Sequence, residues 1–155
     1  LKRAVAELGH AAAPELRDVA IGLDVPAHLP ADMIPPGVDR IEIYRQIASA
    51  ASEAALEAEA RKLEDRFGEA ARGARLLLDV QRLRIRLSAM RIRAVGREEN
   101  RPVFRIDAGF SPERLAGSPV PVRRLDASAY MLEEDAPDDM AAFRVFLEWS
   151  GALAA

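Results

Sequence analysis

Apolar positions between residues 40 and 90 fall into three helical stripes. In the middle stripe Leu56, Ala60, Leu63 and Phe67 recur at steps of four, three and four, which lines one face of a 3.6-residue helix. Ser52 stands where an N-cap hydroxyl accepts an orphan backbone N–H, and Glu53 follows where a negative charge suits the helix dipole. Glu57 with Arg61, and Arg61 with Asp65, are spaced to pair on the wet face. Gly68 occupies the position after the helix that favours a left-handed residue. Upstream, Ile43, Tyr44, Ile47 and Ala48 share one side of a helix that Asp39 would cap. The short link Ala50-Ala51-Ser52 predicts that these two helices form an antiparallel hairpin. Downstream, Leu76, Val80, Leu83, Leu87 and Met90 repeat at four, three, four and three. That seam predicts a long helix over 69–90, packed against the Leu56, Leu63 and Phe67 face.

The flanks carry a different pattern. Residues 92–97 and 102–106 alternate around Glu98-Glu99-Asn100-Arg101 and read as a hairpin. Residues 120–125 and 129–133 read as a second hairpin, with Pro119 and Pro121 confining its first strand to a sheet edge. Between them Ser111-Pro112-Glu113 signals the start of a short helix that Gly117 stops. Asp138 would cap a last helix with Met140, Phe143, Phe146, Leu147 and Trp149 on its apolar side. Residues 18–23 suggest a first strand, and residues 24–37, with four prolines, an extended segment laid over the core. Leu1, Val5 and Leu8 form the stripe of a helix tail that runs into a linker. The expected organisation is therefore a helix tail and linker over 1–17, cut from something longer, and one domain over 18–155. Its class is α+β, with helices packed on a small, mostly antiparallel sheet.

Composition narrows the chemistry. The chain has 155 residues, half of them apolar, and a net charge of −3. It holds no Cys, which excludes disulfides and thiolate zinc sites, and only two His, in separate loop-like stretches. No phosphate-cradling Gly-rich loop and no nucleophile–base set is present, so no catalytic residue, metal site or cofactor is expected. Glu133-Glu134-Asp135 reads as a solvated charge run, and Tyr44 as the edge of a core. No apolar run reaches the ~20 residues of a membrane span, and no signal peptide is seen, so the cytoplasm is the expected compartment.

Charge is distributed unevenly. From Arg72 to Arg105 there are ten Arg against three acids, a local +7; from Asp126 to Glu148 there are seven acids against one Arg, a local −6. Arg75, Arg82, Arg86 and Arg93 would lie along one side of the long helix and its continuation. Such a stripe suits phosphates or an acidic partner, or is a solvated face; the absence of aromatic residues beside it argues against single-strand binding.

The combination RIEIYRQIASA at 40–50 and LEDRFG at 63–68 resembles the C-terminal domain of bacterial transcription-repair coupling factors. That family carries an Arg-x-x-x-Tyr helix, a linking Ser and then Glu-Leu-x-Asp-Arg-Phe-Gly. LPADMIP upstream and LLLDVQRLRIRLSAMRI downstream resemble its flanking segments, over about residues 24–106. The resemblance implies a parent that is an ATP-driven DNA translocase, which pushes stalled RNA polymerase on duplex DNA and recruits excision repair through UvrA. It implies that this last domain is a non-catalytic regulator masking the N-terminal UvrA-binding module at rest. Carboxylates at the end of the signature helix then face arginines of that module. Asp65 matches the family's Asp, which makes Asp65, Lys62 and Arg66 the candidate interface. Asp65 is otherwise a helix-end charge for Arg61. Lys62 stands where the family has Glu, Met33 replaces its Tyr, Pro36 its Asp, and Glu69-Ala70-Ala71 lacks its Pro. The competing reading is a DNA-binding accessory module that uses the arginine stripe.

Overall fold

The computed structural model describes residue 16 and residues 18–154; the expected helix tail and most of the linker lie outside the described residues. Four α-helices are found among them: α1 (Arg40–Ala48), α2 (Glu53–Phe67), α3 (Arg75–Ala89) and α4 (Asp139–Ala154). The strands are β1 (Ala20–Ile21), β2 (Ile92–Glu98), β3 (Arg101–Ile106), β4 (Val122–Asp126) and β5 (Ala129–Leu132), in the order β1-β2-β3-β5-β4. β1 runs parallel to β2 and every other pairing is antiparallel. This is the α+β arrangement, with β4 at the edge as Pro119 and Pro121 require.

Local chemistry sets the helix starts. Asp39 Oδ1 accepts the N–H groups of Ile41 and Glu42 at 3.0 and 3.3 Å, Ser52 Oγ that of Ala55 at 3.1 Å, and Asp138 Oδ1 that of Ala141 at 2.8 Å. Gly68 ends α2 at φ +61°, where a side chain is disfavoured.

The stretch after Gly68 differs from the expected long helix. Gly68–Ala74 is a 3-10 helix, and α3 begins only at Arg75 with no side-chain cap. Two glycines, Gly68 and Gly73, lower the helix propensity of this stretch, and the backbone at Gly73 lies against the Pro30 ring, so closely that a Cβ would sit 2.6 Å from Pro30 Cγ. The small residues of GEAARGA allow this approach, and Ala71 and Ala74 are buried in the cluster with Leu56 and Leu63. The segment at 112–117 is likewise 3-10, and the Ser111 hydroxyl donates to Glu113 at 2.6 Å instead of capping a helix.

The α3 seam also faces another partner than expected. Leu83, Leu87 and Met90, with Leu76 and Val80 beside them, belong to the core between the sheet and α4. There Phe104 stacks on Tyr130 with ring centres 5.3 Å apart and meets Trp149 at 5.0 Å, while Phe143 and Phe146 are fully buried. A second side of α3, with Leu77, Leu78 and Ile85, and Ala74 just before it, faces Leu56 and Leu63 of α2 and Ile43 and Ile47 of α1. Phe67 is only half-buried there, and Ala48 is exposed. α3 is thus a shared wall between two apolar clusters. At roughly 1.5–3 kcal/mol for each large apolar side chain buried, both walls matter to stability. Buried Gln81 joins them to the α1–α2 link by donating to the carbonyls of Ala48 and Ala50 at 3.2 and 2.9 Å.

Candidate functional site

The signature helix presents its candidate residues outward. Lys62, Asp65 and Arg66 are all exposed in the last turns of α2, opposite buried Leu56 and Leu63. Lys62 reaches back to Glu59 at 3.2 Å, so its charge is partly met within the helix. The Arg66 guanidinium lies over the Phe67 ring at 5.2 Å and covers the apolar end of the helix. Asp65 has no hydrogen-bonded or ionic partner among the described residues. The expected i,i+4 chain through Arg61 does not form, because Glu57 turns instead to Arg82 on α3 at 2.5 Å. Beside this face a cleft of about 490 Å³ opens between α2, the 3-10 stretch and α3. Leu63, Ala71 and Leu78 line it together with the charged Glu64, Arg72 and Arg75.

The four stripe arginines part company. Arg82, about one-fifth exposed, meets Glu57, Asp79 at 3.0 Å and Glu53 at 3.6 Å. Arg86 holds Glu53 at 3.0 Å and donates to the Leu147 carbonyl at 3.1 Å, tying α2, α3 and α4 together. Arg75 is exposed at the start of α3, and Arg93 is exposed on β2 rather than on the helix. The α2 carboxylates that claim Arg82 and Arg86 lie 25–33 residues away across the α2–α3 contact, a pairing that spacing along the chain does not signal, whereas Asp79 is an i,i+3 neighbour of Arg82.

Among the described residues three ion pairs bring arginines onto the acidic C-terminal stretch, two of them from the basic stretch. Arg97 pairs with Asp139 at 2.8 Å, Arg123 with Glu133 at 3.5 Å, and Arg101 with Asp135. The Asp139 carboxylate also accepts the Asp24 backbone N–H at 2.7 Å; that bond first, and Arg97 second, hold its pKa below the ordinary aspartate value. Among the described residues no group of His, Asp and Glu is placed to hold a metal ion, and no helix is long and apolar enough to cross a membrane.

A model of the TRCF domain family matches residues 23–113. The transcription-repair-coupling factor of Mycobacterium tuberculosis is 44% identical over 73 residues, which is 47% of this chain and 6% of that protein. That of Escherichia coli is 39% identical over 98 residues, 60% of this chain and 8% of that protein. The chain therefore spans less than a tenth of the curated relatives it matches. A solved crystal structure of the C-terminal domain of a transcription-repair coupling factor superposes with a TM-score of 0.72 over 88% of this chain and 92% of its own. At 19% identity that likeness concerns the fold.

Proposed function

The chain belongs to the TRCF domain family, and from that membership we propose that it is the non-catalytic C-terminal regulatory domain of a transcription-repair coupling factor. It masks the parent's N-terminal UvrA-binding module at rest. The parent, in this reading, is a cytoplasmic ATP-dependent translocase that moves on duplex DNA, displaces stalled RNA polymerase and recruits nucleotide excision repair through UvrA.

The state of Asp65 carries the reading. It is an exposed carboxylate without a partner on the signature helix; among the described residues its neighbours Arg61 and Glu64 are unpartnered too, whereas Glu53, Glu57, Glu59 and Lys62 are taken up locally. An arginine of a neighbouring module would supply what it lacks. Charge pairs of this kind chiefly set specificity and association rate. A closed state favoured by on the order of a few kcal/mol is populated at rest and still yields when another conformation is stabilised. Lys62 is turned to Glu59 and so is partly offset within the helix.

The test mixes this chain with the UvrA-binding module in trans and measures the complex by calorimetry. Asp65→Lys, with an unchanged circular dichroism spectrum, is expected to weaken it about tenfold or more, as loss of a charge pair does. Full-strength binding by that variant would remove Asp65 from the interface. The chain alone is expected to hydrolyse no ATP.

The rival reading, a DNA-binding accessory module, retains Arg75 and Arg93 as exposed cations while Arg82 and Arg86 are held by α2 carboxylates. Fluorescence anisotropy with duplex DNA across a salt series separates the two, since phosphate-driven binding weakens steeply with salt. Binding at low salt that fades in this way would favour the rival.

A further inference from the structure

Between α1 and α3 runs an apolar groove to which α2 contributes no residue. Tyr44, Ile47 and Ala48 of α1 and Leu77 and Val80 of α3 line its space of about 230 Å³. Gln81 lines it too, with its amide committed to the carbonyls of Ala48 and Ala50. The apolar stripe of α1 continues past the groove. Ile41, Tyr44 and Ala48 stand at steps of three and four, so they share one side of the helix. Ile41 is 65% exposed, the largest fraction for a large apolar residue among those described. On α3, Leu77, Val80 and Arg84 repeat the same two steps.

Arg84 is the charged residue of that lining. It is half-buried, and among the described residues no ion pair or hydrogen bond engages it. A guanidinium beside apolar walls has lost part of its water without gaining an acceptor, and a carboxylate entering the open groove would restore the balance. The other nearby cations do not extend it into an array. Arg45 on α1 is held by Glu42 at 3.1 Å. Arg75 stands nine positions before Arg84, about 2.5 turns, and so on the opposite side of α3. Arg93, exposed and unpaired, is on β2 and outside the lining. Duplex DNA is held by arrays of cations facing its repeated phosphates, and here it would meet one cation and apolar walls. The space is also smaller than the roughly 300–1,000 Å³ of most small-molecule sites.

We propose that the α1–α3 groove docks an amphipathic helix of a partner protein, which lays aliphatic side chains along it and brings a glutamate or aspartate to Arg84. Helices that lie in such grooves anchor through residues at i, i+3 or i+4 and i+7. From Ile41 to Ala48 the α1 stripe extends roughly 10 Å, about two turns, which matches that repeat. A carboxylate offers two oxygens to the parallel N–H groups of one guanidinium, so Arg84 fixes the direction in which the helix lies. The groove shares no residue with the α2 face, so it stands apart from the role of Asp65.

The test follows the methyl resonances of Ile41, Leu77 and Val80 in the isotope-labelled full chain. The probes are a side-chain-stapled helical peptide with leucines at i, i+3 and i+7 and a glutamate one turn beyond, the same peptide with lysine for glutamate, and a short DNA duplex, all at matched ionic strength. The glutamate peptide is expected to shift the three residues saturably. The lysine peptide should bind about tenfold more weakly, the loss of one charge-assisted pair, and the duplex should leave the methyls in place. Arg84→Gln should weaken the glutamate peptide about tenfold and the lysine peptide not at all. Ile41→Ser, at an exposed position, should melt with the parent and weaken both peptides. Equal affinity of the parent for the two peptides overturns the proposal. So does full-strength binding by Arg84→Gln or Ile41→Ser, no response to the glutamate peptide, or a larger response to the duplex. Self-association that shifts the same methyls without peptide also overturns it, by assigning the groove to a second copy.

Discussion

The hydroxyl of Tyr44 accepts the backbone N–H of Leu29 at 2.7 Å. One turn earlier on α1, the Arg40 guanidinium donates to the carbonyl of the same residue. The Arg-x-x-x-Tyr spacing therefore sets two side chains over one buried loop residue and satisfies both of its main-chain groups. The motif acquires a structural meaning: it fastens the proline-rich segment, with Leu29, Met33 and Ile34 buried, onto the helical cluster.

Removing the acceptor tests that meaning. Tyr44→Phe leaves the Leu29 N–H without its partner and is expected to cost about 1–2 kcal/mol. Urea unfolding reads it as a lower midpoint at constant slope. An unchanged midpoint would show that water replaces the hydroxyl at no cost.

The contact of Gly73 with Pro30 makes a second prediction. Gly73→Ala gains helix propensity yet places a methyl 2.6 Å from Pro30 Cγ. Overpacking of this kind costs about 1–3 kcal/mol, more than propensity returns. The double variant Gly73→Ala with Pro30→Ala should recover most of the loss, and a double-mutant cycle without coupling would refute the contact.

Asp139 gives the fold a pH dependence. Its folded pKa is depressed, by the Asp24 N–H and then by Arg97. The stabilisation is thus fully present above its unfolded value, about 4, and is lost as pH falls through the lower folded value. Asp139→Asn should flatten the acid limb of stability against pH while changing little of its shape at neutral pH. An acid limb identical to the parent's would assign the loss to other carboxylates.

Arg86 is expected to behave as a structural residue. Arg86→Met removes a guanidinium shared by Glu53 and the Leu147 carbonyl, and should lower stability by about 1–3 kcal/mol. Retention on duplex DNA at low salt should be the same as for the parent. A variant of full stability but weaker DNA retention would reverse this assignment.

Some of this was open to reading in the residues alone, because it depends on near neighbours in the chain. The caps Asp39, Ser52 and Asp138 act on backbone groups two or three residues away. Gly68 ends α2 through its own φ, and both hairpins follow from alternation and turn residues. The Asp-Arg-Phe-Gly signature and the Arg-x-x-x-Tyr turn were likewise sufficient to point to the family. Asp65 was legible as an interface candidate only through that signature.

Contacts distant along the chain belonged to the tertiary structure. The α3 seam met the sheet and α4 because α3 is apolar on two sides, and periodicity names a face without naming what covers it. Glu57 chose Arg82 over Arg61 because the α2–α3 contact brings a less solvated guanidinium within reach. The 3-10 stretch after Gly68 packs at Gly73 against Pro30, more than forty residues earlier, a contact that spacing along the chain does not signal. The chain by itself specified periods, caps and turns, which are short-range preferences of single residues. Which faces meet, and which charges remain unpaired for a partner, was decided by close packing, where each side chain's energy depends on neighbours the sequence does not place beside it.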